Sequence, residues 1–174
     1  GALYVADLYE PRINHVDPRD NWDRATGRIW RIRPETFTPA APTDYNALEN
    51  KQLIRLLASP SRPARQSARL VLGWRKDRST LPALRDLLRQ EGQPALEALW
   101  AIHAVGWLEE RMVLSALKHD SPHVRRWAIR LVGDQREASP KVAAALARLA
   151  SSERDAEVRG QLASTAKRLP ASAA

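Results

Sequence analysis

The segment Asp120–Gly133 reads Asp-Ser-Pro-His-Val-Arg-Arg-Trp-Ala-Ile-Arg-Leu-Val-Gly and has the pattern of an amphipathic helix. Asp120 or Ser121 can accept hydrogen bonds from the first free backbone amides, and Pro122 follows where a missing N–H costs nothing. Gly133 is expected to end the helix in the left-handed conformation. The apolar residues with the spacing of one helix face are Val124, Trp127, Ala128, Leu131 and Val132.

The same pattern recurs along the chain. Three segments read Ala-x-x-x-apolar-Gly, and they are 68–73, 101–106 and 128–133. A weaker fourth copy has Ala163 in the alanine place and no glycine. Small residues at one helical position allow a neighbouring helix to approach closely, and a period near ~30 residues is typical of helical solenoids.

The repeat also resembles a known family. Asp120-x-x-x-Val124-Arg125, echoed by Asp155 with Val158-Arg159, resembles HEAT repeats. We therefore predict a mainly α fold, a HEAT-like α–α solenoid of about four helical hairpins over residues 46–170. The predicted helices cover 46–58, 63–74, 80–90, 94–107, 109–118, 121–133, 141–150 and 155–169.

Residues 1–33 have a different pattern, with two β-like runs at 1–8 and 27–33. They predict a short β-hairpin element. Two strands alone form only a marginal sheet, so they must pack on the helices or belong to a larger sheet. Residues 34–45 contain three prolines and predict an extended linker. The predicted domain order is therefore 1–33, 34–45 and 46–170.

The composition of the chain excludes several kinds of functional site. The chain has 174 residues, of which 44% are hydrophobic, and this is enough to bury the core of a domain. It has no cysteine, which excludes disulfides, thiolate metal sites and covalently attached haem within this piece. No apolar run approaches the ~20 residues of a membrane span, and no signal-peptide pattern is present. The chain begins at Gly1 inside a strand-like run, so we expect it to be a fragment of a longer protein.

Positive charge is concentrated in the helical part. The net charge is +8, although residues 1–45 carry six Lys or Arg against seven Asp or Glu. This charge could face nucleic acid, an anionic membrane surface or an acidic partner, or it could belong to solvated helix faces. The candidate basic face comprises Arg65, Arg69, Arg125, Arg126 and Arg130. Arginines four residues apart share a helix face, but they can also pair with Asp and Glu of a neighbouring repeat.

The richest polar cluster lies in the connection between the two β-like runs. Its candidate ligand-binding residues are Asn14, His15, Asp17, Arg19, Asp20, Trp22 and Arg24. Carboxylates and a neutral imidazole could coordinate a cation or hold a sugar-like ligand, and the arginines could clamp an anion. The alternative is a rigid polar loop with capped turns and Arg–Asp pairs. No metalloprotease, phosphate-loop or serine-elbow motif is present, so we predict no catalytic residue and no metal ligand.

Several residues of the predicted helices have two interpretations. We predict that His103 is a hydrogen-bonded core histidine. The tryptophans of the repeat helices are Trp74, Trp100, Trp107 and Trp127. They could stack nucleobases, but aromatic residues more often fill the core between repeats. Trp74 and Trp107 follow glycines, and we predict that they pack at helix ends.

The N-terminal region resembles the end of the β-propeller in the PVC-type membrane-bound dehydrogenase family. The resemblance rests on Leu3–Asp7, Ile13–Arg24 and Thr26–Ile32. In that family a propeller is followed by HEAT-like repeats and then by a c-type haem domain. The resemblance implies an exported parent protein, periplasmic or in the cell envelope. It would oxidise a sugar or polyol with a quinone cofactor, calcium and haem, none of which we expect in this fragment. The polar cluster would line the propeller surface.

Three functions follow as hypotheses. The first, which we predict, is a helical-repeat scaffold that spaces or docks domains, is not catalytic alone and has a protein or the neighbouring domains of its own chain as partner. The second is a portion of a sugar or polyol quinoprotein-type dehydrogenase whose site includes the 14–24 loop. The third is a basic HEAT-like protein that binds nucleic acid.

Overall fold

A computed structural model of the protein describes residues 2–7, 25–38 and 41–170. The described residues are mainly helical and include a small two-stranded antiparallel sheet, as predicted. The chain divides into two compact units, Gly1–Thr43 and Asp44–Ala174. Each unit is described by itself below.

The first unit contains the sheet. Strand β1 (Leu3–Asp7) pairs antiparallel with β2 (Arg28–Ile32), so that Leu3 lies opposite Ile32 and Asp7 opposite Arg28. Successive side chains alternate between the two faces of a strand. Large apolar side chains are exposed on both faces, and they are Leu3, Tyr4, Val5, Ile29, Trp30 and Ile32.

The second unit contains eight α-helices among the described residues. They are α1 (Asn50–Leu56), α2 (Arg62–Arg75), α3 (Leu81–Leu88), α4 (Gly92–Val105), α5 (Glu110–Ala116), α6 (Pro122–Gln135), α7 (Pro140–Ser152) and α8 (Ala156–Ala166). Two short 3-10 turns precede α1 and α3, at Tyr45–Ala47 and Arg78–Thr80. Each predicted helix has a counterpart here, with its ends displaced by a few residues.

Local capping starts several of these helices. The side chains of Ser61, Ser139 and Asp155 each accept a hydrogen bond from a backbone N–H in the first turn of α2, α7 and α8. The prediction for α6 is wrong in this detail, because the N-cap Ser121 side chain accepts no capping hydrogen bond. The backbone N–H of Ser121 instead donates to Nδ1 of His119 at 3.0 Å.

The glycines at the ends of the three repeated patterns have different structural roles. Gly106 ends α4 with a φ of 86°, as the pattern predicts. Gly133 does not end α6, which continues to Gln135 and ends at Arg136 with a φ of 58°. In the same way, α2 continues past Gly73 and ends at Lys76 with a φ of 48°. The prediction that Gly133 terminates its helix is therefore wrong.

Gly73 and Gly133 lie where another helix approaches. A Cβ added to Gly73 would lie 3.0 Å from Cβ of Ala104, which belongs to α4. A Cβ added to Gly133 would lie 2.8 Å from Oγ1 of Thr165, which belongs to α8. These glycines allow α2 to pack against α4, and α6 against α8, at short distance. This is the physical reason for glycine within these two helices.

The small residues of the pattern are largely buried. Ala68, Ala101 and Ala128 are all 0% exposed and belong to one continuous apolar core of the second unit. The fourth copy was assigned incorrectly, because Ala163 is exposed. Thr165, which is 1% exposed, makes the contact with α6 and donates its hydroxyl to the carbonyl of Ile129 at 3.2 Å.

Neighbouring long helices run in the same direction. α2 and α4 contact one another near their starts, through Arg65 and Glu97, and near their ends, through Gly73 and Ala104. α6 and α8 are joined in the same manner, by Arg126 with Glu157 near the starts and by Gly133 with Thr165 near the ends. Helix α1 runs opposite to α2, since Asn50 at its start accepts from Arg75 at the end of α2.

The left-handed helix ends provide a stability prediction. Arg136→Gly is expected to raise the free energy of unfolding by about 0.5–1 kcal/mol, because glycine adopts a positive φ without the Cβ clash. Urea denaturation followed by circular dichroism measures the change. Arg89→Gly is the matched control, since Arg89 ends α3 with a φ of −78° and should gain nothing. An equal gain in both variants would contradict the explanation.

Candidate functional site

A groove crosses helices α2, α4 and α6 of the second unit. Its volume is about 770 Å³, within the ~300–1,000 Å³ of typical ligand sites. The residues that line it include Arg62, Arg65, Arg69, Trp100, Trp127 and Arg130. We call it the Arg–Trp groove.

A buried carboxylate links two of the arginines. The Glu97 side chain is 3% exposed and accepts from Arg65 Nε at Oε1 and from Arg69 Nη1 at Oε2, both at 3.0 Å. Gln93 Nε2 also donates to Oε1 at 3.0 Å. A buried carboxylate is tolerated when it is paired and hydrogen-bonded in this way. Because one carboxylate serves two guanidinium groups, the cluster keeps a net positive charge.

Two tryptophans lie in contact across α4 and α6, and an arginine packs against each of them. The Arg69 guanidinium lies 4.9 Å from the ring centre of Trp100, and the Arg130 guanidinium lies 5.0 Å from that of Trp127. The two indole rings meet edge to face, with centres 4.9 Å apart and planes at 84°. Cation–π and edge-to-face contacts both stabilise such an array. Nε1 of Trp100 is buried and has no hydrogen-bond partner among the described residues.

The predicted basic residues separate into two groups. Arg65, Arg69 and Arg130 line the groove, whereas Arg125 and Arg126 bind carboxylates beside α8. Arg125 pairs with Glu153 through two hydrogen bonds of 2.7 and 2.8 Å. Arg126 Nη1 lies 2.9 Å from Glu157 Oε2. The structure therefore does not bring the five arginines together in the groove.

Two of these arginines also hold the preceding turn. Arg65 Nη1 donates to the carbonyls of Ser59 and Pro60, at 2.8 and 3.1 Å. Arg125 Nη1 donates to the carbonyls of His119 and Asp120, both at 2.8 Å. In both cases the two carbonyls belong to the residues six and five positions before the arginine. The same contacts therefore recur at the starts of α2 and α6, and they make these two arginines part of the helical framework.

His119 joins two turns of the framework. Its Nδ1 accepts from the backbone N–H of Ser121, so the ring hydrogen resides on Nε2. Nε2 lies 3.0 Å from the carbonyl oxygen of Leu88 and 3.1 Å from that of Gln90. His119 therefore connects the turn before α6 to the turn before α4. Within the described ranges, no group of three or more His, Asp or Glu side chains has the arrangement of a metal site.

Glu153 is the most strongly perturbed acid of the framework. Its side chain is 4% exposed. Hydrogen bonds from Arg125, and then from the backbone N–H groups of Asp155 and Arg154, lower the pKa of Glu153 from 4.5 to about 2 although burial opposes this. The carboxylate therefore stays ionised well below its usual range.

This shift predicts how stability depends on pH. Because the folded-state pKa is lowered, the stabilisation by ionised Glu153 is complete above about pH 4.5 and is lost as the pH falls towards 2. Wild-type protein should therefore lose more of its free energy of unfolding over this range than Glu153→Gln. Urea titrations at several pH values measure the difference. The exposed-site control Glu157→Gln should keep the wild-type pH dependence, and equal slopes for all three proteins would contradict the assignment.

Among the aromatic and histidine predictions, those for His103 and Trp74 are wrong and those for the other three tryptophans are confirmed. His103 is exposed and lines the Arg–Trp groove, so it is not a core residue. Trp74 is 67% exposed, so the prediction that it packs at a helix end is wrong. Trp107 is half-buried and packs against the core just after the end of α4, as predicted, and the Arg78 guanidinium lies 3.2 Å from its ring centre. Trp100 and Trp127 do pack against the core, as predicted, and they also line the groove.

Sequence reasoning missed Glu97, the acid at the centre of the groove. The sequence signal that could have found it is its apolar neighbours, because Glu97 lies between Ala95-Leu96 and Ala98-Leu99. All four of these neighbours are buried in the structure. An acid in such an apolar stretch requires a cationic partner. The seven candidate ligand-binding residues from Asn14 to Arg24 lie outside the described residues, and their site remains a prediction.

Comparison of the chain with protein-family models, with curated proteins and with solved structures finds no match. None of the helices in the described ranges combines the length and the apolar character needed to cross a membrane.

Proposed function

We propose that the chain is a helical-repeat interaction and spacer module with a HEAT-like arrangement of helical hairpins. The observation that supports this most directly is the double attachment of neighbouring long helices. α2 and α4 are joined by an ion pair near one end and by a close glycine contact near the other, and so are α6 and α8. Helices attached at both ends resist sliding and bending, which a spacer requires.

The repeated arginine contacts support the same interpretation. Arg65 and Arg125 each bind the two carbonyls of the turn before their helix and a carboxylate of the neighbouring helix or turn. A side chain that binds both its own turn and the neighbouring element fixes the orientation of one helical hairpin relative to the next. The stability of a repeat array comes from such nearest-neighbour contacts.

By resemblance to the PVC-type dehydrogenase family, the module would connect a β-propeller to a haem domain in an exported protein. The exposed apolar side chains on both faces of the hairpin, such as Tyr4 and Trp30, support a role as part of a larger sheet. In this proposal the module is not catalytic alone. A sugar or polyol dehydrogenase activity, with a quinone cofactor, calcium and haem, would belong to the parent protein.

The natural gene around this segment provides the first test. The proposal expects further propeller blades encoded upstream and a Cys-x-x-Cys-His haem motif downstream. The separately produced flanking domains should then bind the purified chain in a calorimetric titration. Flanks that encode neither feature would overturn the dehydrogenase setting, and flanking domains that do not bind would overturn the spacer role.

A nucleic-acid function has less support. Arg65 and Arg125 have side chains that are 14% and 17% exposed, and each is bonded to a carboxylate. Binding to a phosphate backbone depends on cations that are free to release counterions. A random oligonucleotide that bound the chain with a steep salt dependence would favour this alternative over the spacer.

A further inference from the structure

We propose that the Arg–Trp groove binds an acidic peptide segment of a partner polypeptide. This inference rests on the proposed interaction function and specifies its surface and the chemistry of its partner.

The groove presents positive charge to a ligand. Four arginines line it against two carboxylates, Glu97 and Asp134. Glu97 is buried beneath Arg65 and Arg69, and Asp134 is bound by Arg168 and lies 3.7 Å from Arg130. Both carboxylates are thus already occupied, and the surface that remains is cationic. Carboxylates of a partner complement this charge.

Several hydrogen-bond donors of the groove remain open. Arg62 is exposed and has no carboxylate partner among the described residues. Arg69 uses one nitrogen for Glu97, and a guanidinium carries five N–H donors in all. Guanidinium groups bind carboxylates in a planar, two-bonded geometry. Arg62 and Arg69 therefore offer two docking points for acidic side chains on one helix.

The tryptophans favour a peptide over a nucleic acid. Arg69 covers Trp100, Arg130 covers Trp127, and the two rings contact each other. Each ring has a guanidinium against one face and a contact with the other indole, which reduces the surface on which a nucleobase could stack. The parts of the two indoles that line the groove provide apolar surface for the methylene groups of glutamate side chains. In addition, the unpartnered Nε1 of Trp100 would gain an acceptor from a peptide carbonyl or carboxylate after a small shift.

A fluorescein-labelled peptide of eight glutamates provides the probe, with binding to the full chain followed by fluorescence anisotropy. We expect saturable binding. Arg62→Glu should weaken it about tenfold or more, since it removes a charge-assisted contact and adds repulsion. Arg148→Glu is the matched control, because Arg148 is also exposed and lies in α7, outside the Arg–Trp groove. It makes the same change in net charge and should bind as wild type does.

The indole N–H resonance of Trp100 provides a second readout. It is assigned with Trp100→Phe and should shift when the glutamate peptide is added. Absence of saturable binding, or equal weakening by Arg62→Glu and Arg148→Glu, would overturn the inference. Tighter binding of an eight-nucleotide thymidine strand at the same Arg62-dependent site would replace it with a nucleic-acid interpretation.

The two proposals can fail separately. If the glutamate peptide does not bind but a flanking domain still binds wild type and Arg62→Glu equally, the groove inference fails and the spacer function stands. If the peptide binds in an Arg62-dependent manner while no flanking domain binds, the spacer function fails and the groove remains a site for acidic segments.

Discussion

Glu153→Ala is expected to lower the free energy of unfolding by about 3 kcal/mol. The substitution leaves the Arg125 guanidinium, whose side chain is 17% exposed, without its two carboxylate bonds. It also removes the acceptor for the backbone N–H groups of Arg154 and Asp155, which cap the turn before α8. An unpaired, largely buried charge costs more than the original pair contributes, so the effect is large. Urea denaturation followed by circular dichroism measures it.

Glu157→Ala is the matched control for this prediction. Glu157, in α8, pairs with Arg126 of α6, next to Arg125 in the chain, but its side chain is 78% exposed. Exposed ion pairs contribute little, so the control should change the free energy of unfolding by only about 0.5 kcal/mol. Arg125→Ala combined with Glu153→Ala should cost less than the sum of the two single changes, because the second substitution removes the stranded partner. Equal effects of Glu153→Ala and Glu157→Ala would show that burial does not determine the contribution of the pair.

Gly133→Ala should destabilise the protein by about 1–3 kcal/mol, although alanine is the better helix former. The added Cβ would lie 2.8 Å from Oγ1 and 3.0 Å from Cγ2 of Thr165, closer than van der Waals contact. Thr165 cannot move away freely, because it is 1% exposed and donates to the carbonyl of Ile129. Helices α6 and α8 must therefore separate, and separation weakens the packing along both. Thermal and urea unfolding measure the loss.

Gly160→Ala is the same substitution in the neighbouring helix and is expected to have the opposite sign. Gly160 lies within α8, and a Cβ added there meets nothing within 4 Å. The helix propensity of alanine should therefore raise the free energy of unfolding by about 0.5–1 kcal/mol. The cost of Gly133→Ala should also fall in a Thr165→Ala background, where Oγ1 and Cγ2, the two closest of the crowded atoms, are absent. A destabilised Gly160→Ala, or a Gly133→Ala cost that Thr165→Ala leaves unchanged, would contradict the close-approach explanation.

Gly133 also shows where sequence reasoning reaches its limit. A glycine after an apolar helical pattern is typical both of a left-handed helix end and of a close helix contact. Gly106 has the first role, whereas Gly73 and Gly133 have the second. The choice depends on whether another helix lies against that position, and Ala104 and Thr165 lie about 30 residues further along the chain. No local pattern contains this information.

The pairing of the arginines in the candidate site could not be predicted from the sequence either. Their spacing of four residues was compatible with a free basic face and with pairing to another repeat. The pairing partners of Arg65, Arg125 and Arg126 are Glu97, Glu153 and Glu157, 28 to 32 residues away. The Arg–Trp groove exists because three helices place residues 62–69, 93–104 and 127–134 side by side. The sequence identified some of its residues as candidates, but it did not indicate that they lie in one groove.

In the part of the chain that the structure describes, the eight helices and the two strands follow from local physics, because capping side chains, prolines and apolar periodicity act between residues a few positions apart. These signals predicted the element types correctly, and they predicted three of the four alanines of the pattern, Ala68, Ala101 and Ala128, to be buried as they are. The roles of the glycines, the pairing of the arginines and the exposure of His103 depend instead on which helix lies beside which. Those contacts join distant parts of the chain, so only the packed structure determines them.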